Sequence, residues 1–93
     1  MAQTGDGPGA LAAIREAVEV YRRLAQASPA RYEPELARSL GSLGIILRQA
    51  GTRRDAIAAF REGARLIESY ARQYPAGPYS KLLDALERDI KGT

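Results

Sequence analysis

The 93-residue chain contains no cysteine, no histidine and no tryptophan. Without cysteine it can form neither a disulfide nor a thiolate metal site. Without histidine it lacks the most common general base and the most common zinc ligand. No apolar run approaches the ~18 residues of a membrane-spanning helix, and no secretory signal peptide is recognisable. We therefore expect a cytoplasmic protein that uses no cofactor and no metal.

Catalytic constellations are also missing from the sequence. The serines have no histidine to activate them, and none is followed at helical spacing by a lysine, as in a Ser-x-x-Lys site. Pairs of carboxylates occur, such as Asp84 with Glu87, but they fall on faces that the apolar pattern assigns to solvent. The sequence therefore predicts a protein that is not an enzyme.

The net charge of +3 and the pI near 9.6 raise the question of nucleic-acid binding. The basic residues are mostly arginines, and acidic residues alternate with them. Arg22 and Arg23 follow Glu19, and Arg65 precedes Glu68, so that ion pairs can form along one helix face. A solvated helical surface accounts for this pattern. Nucleic-acid binding stays open as the third of three alternatives, and a steep loss of binding with salt would reveal it.

Apolar residues recur at spacings of three and four, which predicts an all-α protein. Residues 1–9 are glycine-rich and are predicted to form a flexible leader before a single helical domain over residues 10–91. Pro29 and Pro75 should end helices, because a proline pushes the preceding residue out of the helical conformation. Gly51 is expected to cap a helix. The four predicted helices cover about 9–27, 34–50, 53–74 and 78–91.

The second and third predicted helices carry small residues where two helices would touch. Helix backbones approach closely only where side chains are small. A short turn at residues 51–52 would make the two helices antiparallel. Ile45 is apolar but lies outside the core pattern, so either a neighbouring helix or a partner could cover it. The small residues are Gly44, Ala50, Ala56, Ala59 and Gly63, and the large ones between them are Leu40, Leu43, Leu47, Ile57, Phe60 and Ile67.

An internal repeat appears when the chain is shifted by 46 residues. The match spans a helix, a proline stop and the start of the next helix, so the first helix corresponds to the third and the fourth to the second. Each unit of such a repeat buries its apolar face on a neighbour. We therefore expect another copy, or further repeats of a larger protein, to cover the outer helices. The shift aligns Ile14 with Phe60, Ala17 with Gly63, Ala25 with Ala71, Pro29 with Pro75, Leu36 with Leu82 and Leu40 with Leu86.

The central helix pair resembles a tetratricopeptide repeat. The residues that carry the resemblance are Leu40, Leu43, Gly44, Leu47, Gly51, Ala56, Phe60 and Gly63, all at the spacing of that family. The repeat of 46 residues is longer than the usual ~34. It is similar to the long variants in kinesin light chains and bacterial signalling proteins. The resemblance implies antiparallel helix-turn-helix units in a four-helix fragment of a right-handed solenoid.

The resemblance also implies that the protein binds a peptide or protein in a groove lined by the first helix of each unit. Gly41 and Ile45 stand where the family's clamp for C-terminal carboxylates has polar residues, so that chemistry is not expected here. Self-association, as a dimer or as part of a larger repeat protein, is the alternative function. The expected groove residues are Arg38, Ser42, Ile45, Arg48, Gln49, Asp84 and Arg88.

Overall fold

A computed structural model describes residues 7–93 of the chain, and these residues form four helices and no strand. The helices are α1 (Gly7–Ala27), α2 (Pro29–Gln49), α3 (Arg53–Gln73) and α4 (Pro78–Gly92). The prediction of an all-α protein is confirmed. Within the described residues, no helix combines the length and apolar character needed to cross a lipid bilayer.

Residues 1–6 of the predicted flexible leader lie outside the described part of the chain, so the prediction meets the structure only at residues 7–9. Residues 7–9 belong to α1, so the prediction of a flexible segment is wrong for them. Pro8 occupies the first turn of the helix, where the backbone N–H that proline lacks would have no helical partner in any case.

α2 begins at Pro29 rather than near residue 34, and Pro34 lies buried inside it. The first turn is closed by a hydrogen bond from the backbone N–H of Tyr32 to the carbonyl of Ser28, at 3.1 Å. A proline in the interior of a helix disfavours the preceding turn, because it has no backbone N–H to donate and its ring clashes with that turn. Tertiary contacts of that turn compensate, since Tyr32 packs against an α1 tyrosine and Glu33 accepts a hydrogen bond from α3.

The turn between α2 and α3 depends on Gly51, which has a φ of 87°. Glycine adopts this left-handed conformation with little conformational strain, whereas residues with a Cβ are strained in it. The hydroxyl of Thr52 donates to the carbonyl of Leu47 at 2.9 Å and makes no cap of α3. The predicted glycine cap of α2 is therefore present.

Four of the five small residues predicted for the contact between α2 and α3 are buried, namely Gly44, Ala56, Ala59 and Gly63. The prediction is wrong for Ala50, which is exposed because it follows the last residue of α2 and borders a groove beside α1. A Cβ on Gly44 would lie 2.5 Å from the Phe60 ring, and one on Gly63 would lie 3.1 Å from the Ala37 carbonyl oxygen. Ala56 is fully buried. Because residues near the turn face each other and residues far from it do the same, the two helices are antiparallel. The predicted close contact is confirmed.

α2 lies at the centre of the molecule, in contact with each of the other helices, and α3 packs against α4 as well. The largest fully buried side chains are Phe60, Leu40, Ile67 and Leu86, from α2, α3 and α4. α1 contacts α3 through the paired guanidinium of Arg22 and carboxylate of Glu62. α1 and α3 have 21 residues each, and α3 begins and ends 46 residues after α1.

Candidate functional site

A groove of about 260 Å³ runs between α2 and α4. At the floor of the groove Leu86 approaches the backbone of α2, because Gly41 has no side chain there. A Cβ on Gly41 would lie 3.2 Å from Leu86 Cδ2. The groove is lined by Arg38, Gly41, Ser42 and Ile45 from α2 and by Leu82, Ala85, Leu86 and Asp89 from α4.

The lining of the groove is mostly apolar. Leu86 is buried, and Leu82 and Ala85 are partly buried. Ile45 is 38% exposed and is one of the few large apolar side chains at the surface of the described residues. An exposed isoleucine next to partly covered leucines forms a small apolar patch that a ligand could bury.

Charged side chains flank this apolar patch. At one side, Arg48 Nη1 lies 3.4 Å from Asp89 Oδ1, which joins α2 to α4. The Arg48 guanidinium also lies over the Phe60 ring, 5.7 Å from its centroid. At the other side, Arg38 Nη1 lies 3.4 Å from Glu35 Oε2 of the same helix. That second pair is largely exposed and therefore weak, so Arg38 can exchange its partner.

The structure brings only some of the predicted groove residues together. Arg38, Ser42 and Ile45 line the groove, and Arg48 closes it through its ion pair with Asp89. Whether any of these residues binds a ligand stays a prediction.

The structure does not bring Gln49, Asp84 or Arg88 to the groove. Gln49 lies in a different groove, beside α1, because each step along a helix turns the side chain by about 100°. Asp84 and Arg88 are exposed on α4 but do not line the groove.

Asp89 lines the groove but was not predicted to do so. The repeat aligns Asp89 with the buried Leu43, so the position reads as part of the core. In the structure this side of α4 borders the groove and Arg48 is close enough to pair with the carboxylate. A carboxylate at an expected core position is the signal that could have identified it.

Away from the groove, Tyr70 is held by hydrogen bonds between α3 and α2. Its hydroxyl donates to Glu33 Oε1 at 2.9 Å and lies 3.3 Å from the Pro29 carbonyl oxygen. Desolvation by partial burial, and then the hydrogen bond to Glu33, raise the pKa of Tyr70 to about 12. A tyrosine that remains protonated is suited to holding two helices together. Within residues 8–93 no three acidic side chains are placed to hold a metal ion.

Comparison with known proteins gives no match to this chain, whether with family models, with curated proteins or with solved structures.

Proposed function

We propose that this chain is a protein-interaction module of the tetratricopeptide kind, with its helices arranged as a fragment of a right-handed solenoid. It binds a peptide segment of a partner protein in the groove between α2 and α4 and catalyses no reaction. The observation that carries the proposal is the exposed Ile45 beside the leucines of that groove, with arginines on both sides.

The packing of the helices supports the repeat part of this proposal. Glycine and alanine lie where α2 meets α3, and α1 and α3 have the same length and the same 46-residue offset at both ends. Such an offset is expected when one structural unit is repeated along a chain.

The groove also indicates the chemistry of the peptide. Its volume of about 260 Å³ is below the usual range for small-molecule pockets and suits one large apolar side chain. Arg38 is paired only with a largely exposed carboxylate, so an acidic residue of the ligand can replace that partner. We therefore expect the ligand to be a short peptide with an aliphatic or aromatic anchor and a neighbouring Asp or Glu.

A library of random peptides displayed on phage, selected on the immobilised protein, tests the proposal. The expected consensus is an apolar residue followed or preceded by an acidic one. Selected peptides should bind Ile45→Asp at least about tenfold more weakly, because the new carboxylate removes apolar contact and repels the acidic residue of the peptide.

Val20→Asp is the matched control, since Val20 is 44% exposed and lies on α1, away from the groove. Circular dichroism should show both variants folded. The proposal is wrong if no peptide family is enriched, or if Val20→Asp weakens binding as much as Ile45→Asp does.

A further inference from the structure

The outer side of α1 is an apolar face on which none of the other described helices packs. Its residues recur at spacings of three and four, and none is charged. Val20 is 44% exposed and Leu24 is 36% exposed, which makes them two of the large apolar side chains least covered by the described residues. The α1 outer face consists of Ala10, Ala13, Ala17, Val20, Leu24 and Ala27.

The corresponding face of α3 is buried. The counterparts of Ala10, Ala13 and Ala17, 46 residues further on, are Ala56, Ala59 and Gly63. Ala56 is 0% exposed and Ala59 is 6% exposed. Gly63 lies against α2, where a Cβ would be 3.1 Å from the Ala37 carbonyl oxygen. The α1 outer face therefore has the small residues of a helix-packing surface, and α3 shows that an α2-like helix fits such a surface.

The chain itself contains a second α2-like helix, which is α4. The α2 residues that meet α3 include Ala37, Leu40 and Gly44. Their counterparts on α4 are Leu83, Leu86 and Ile90. Leu83 and Ile90 are only partly buried, so α4 retains an apolar edge that its own neighbours do not cover completely.

We propose that copies of this chain associate head to tail, with the Leu83–Ile90 edge of α4 packed on the α1 outer face of the next copy. The residues that face each other across this contact then correspond to those that face each other between α2 and α3. The association uses two different surfaces, so it is heterologous and can continue from copy to copy. It does not depend on the peptide groove.

The side-chain sizes at this contact set its strength. Within the chain, Gly44 lies opposite Phe60. The corresponding residues at the contact between copies are Ile90 and Ile14, so that two side chains of medium size replace a small one and a large one. Ala37 lies opposite Gly63 within the chain, and the corresponding residues between copies are Leu83 and Ala17. Leu83 is larger than Ala37, and Ala17 is larger than Gly63. The helices therefore lie further apart than α2 and α3 do, and the association is weaker than the packing within the chain.

An apolar groove extends the docking surface at the beginning of α1. It has a volume of about 440 Å³, and among the described residues that line it Gln49 is the one with a polar side chain. Ile90 pairs with Ile14, near the first half of α1, so the end of the incoming α4 lies beside this groove. The groove is lined by Pro8, Ala10, Leu11, Ile46, Gln49 and Ala50.

Sedimentation velocity from about 10 µM to about 1 mM, the range in which weak contacts are populated, tests the proposal. The wild-type chain should show a sedimentation coefficient that rises with concentration. Ala13→Arg should raise the concentration needed by at least about tenfold, because it places an unpaired charge in the contact. Ala12→Arg is the matched control, since it makes the same change at the next exposed residue of α1, outside the apolar face, and should associate as the wild type does.

Mixing separates head-to-tail association from symmetric pairing. Ile90→Lys should also prevent self-association, but a mixture of Ile90→Lys and Ala13→Arg retains one intact pair of surfaces and should form dimers and nothing larger. If circular dichroism shows Ile90→Lys unfolded, the comparison of Ala13→Arg with Ala12→Arg decides. A wild-type monomer up to about 1 mM, equal effects of the two alanine variants, or no complex on mixing two folded variants overturns the proposal.

Discussion

At the scale of single residues, Gly44 leaves less room for a Cβ than Gly41, Gly63 or Gly77 does. The contact that a Cβ would make is with the Phe60 ring, which is 0% exposed and surrounded by the core. A buried ring can move only if its neighbours move with it. The closeness of α2 and α3 thus depends on one missing methyl group.

Gly44→Ala should lower the free energy of unfolding by about 1–2 kcal/mol, because overpacking outweighs the better helix propensity of alanine. Gly92→Ala is the control, since a Cβ there meets nothing within 4 Å. Urea denaturation followed by circular dichroism measures both. A Gly44→Ala variant as stable as the wild type would show that Phe60 can move away at no cost.

Tyr70 gives a prediction about pH. Its pKa rises from the ordinary tyrosine value of 10.0 to about 12 in the folded chain, so the folded state favours the protonated phenol. This contribution to stability is fully present below the unfolded pKa and is lost as the pH rises through the folded pKa. Between about pH 10 and 12 the free energy of unfolding of the wild-type chain should therefore fall by the contribution of the Tyr70 hydroxyl, which the Tyr70→Phe variant lacks at every pH.

Urea denaturation at about pH 8 and about pH 11 measures this difference. At the lower pH, Tyr70→Phe should be less stable by about 1 kcal/mol, the usual worth of a hydrogen bond. At the higher pH the difference in the free energy of unfolding between the wild type and Tyr70→Phe should become smaller. Tyr74→Phe is the control, since it removes the same hydroxyl from a tyrosine that is 55% exposed.

At the scale of helices, the four helices differ in how many neighbouring helices they contact. α2 contacts α1, α3 and α4, whereas α1, among the described helices, packs along α2 and reaches α3 through the Arg22–Glu62 pair. That pair is 41% and 37% exposed, so it holds α1 only weakly. Glu62 also raises the pKa of Arg22, chiefly by accepting its hydrogen bonds, which leaves the arginine charged at every accessible pH.

Hydrogen exchange should follow this order of support. In a dilute sample, the amides of α1 should exchange faster than those in the middle of α2 and α3, because local opening of α1 breaks fewer contacts. Mass spectrometry of peptic fragments measures it. Equal protection of all three helices would mean that α1 opens only when the whole molecule unfolds.

At the scale of the whole molecule, one core joins all four helices, since its buried residues come from each of them. A chain of 93 residues with such a core should unfold in one cooperative step, with a free energy of about 5 kcal/mol or somewhat more. Urea curves from circular dichroism and from tyrosine fluorescence should coincide. Two separated transitions would show that part of the chain, most simply α1, unfolds independently.

Much of the fold was predictable because it depends on local chemistry. The apolar spacing identified four helices, Pro29 ended α1 and Gly51 ended α2. The contact of Gly44 with α3 also followed from the sequence, because only small residues permit close helices. The start of α2 did not follow, since the penalty of Pro34 is local and the contacts that outweigh it come from other helices.

The candidate groove was predictable only in part, for a related reason. The sequence determines which residues share one face of a helix, and so Arg38, Ser42 and Ile45 were found together. Which face of α4 meets α2 depends on how the two helices are rotated against each other, and only the tertiary structure decides that. It therefore brought Asp89 to the groove in place of Asp84 and Arg88. Helix formation follows from neighbours along the chain, whereas a site between helices follows from packing that no single segment contains.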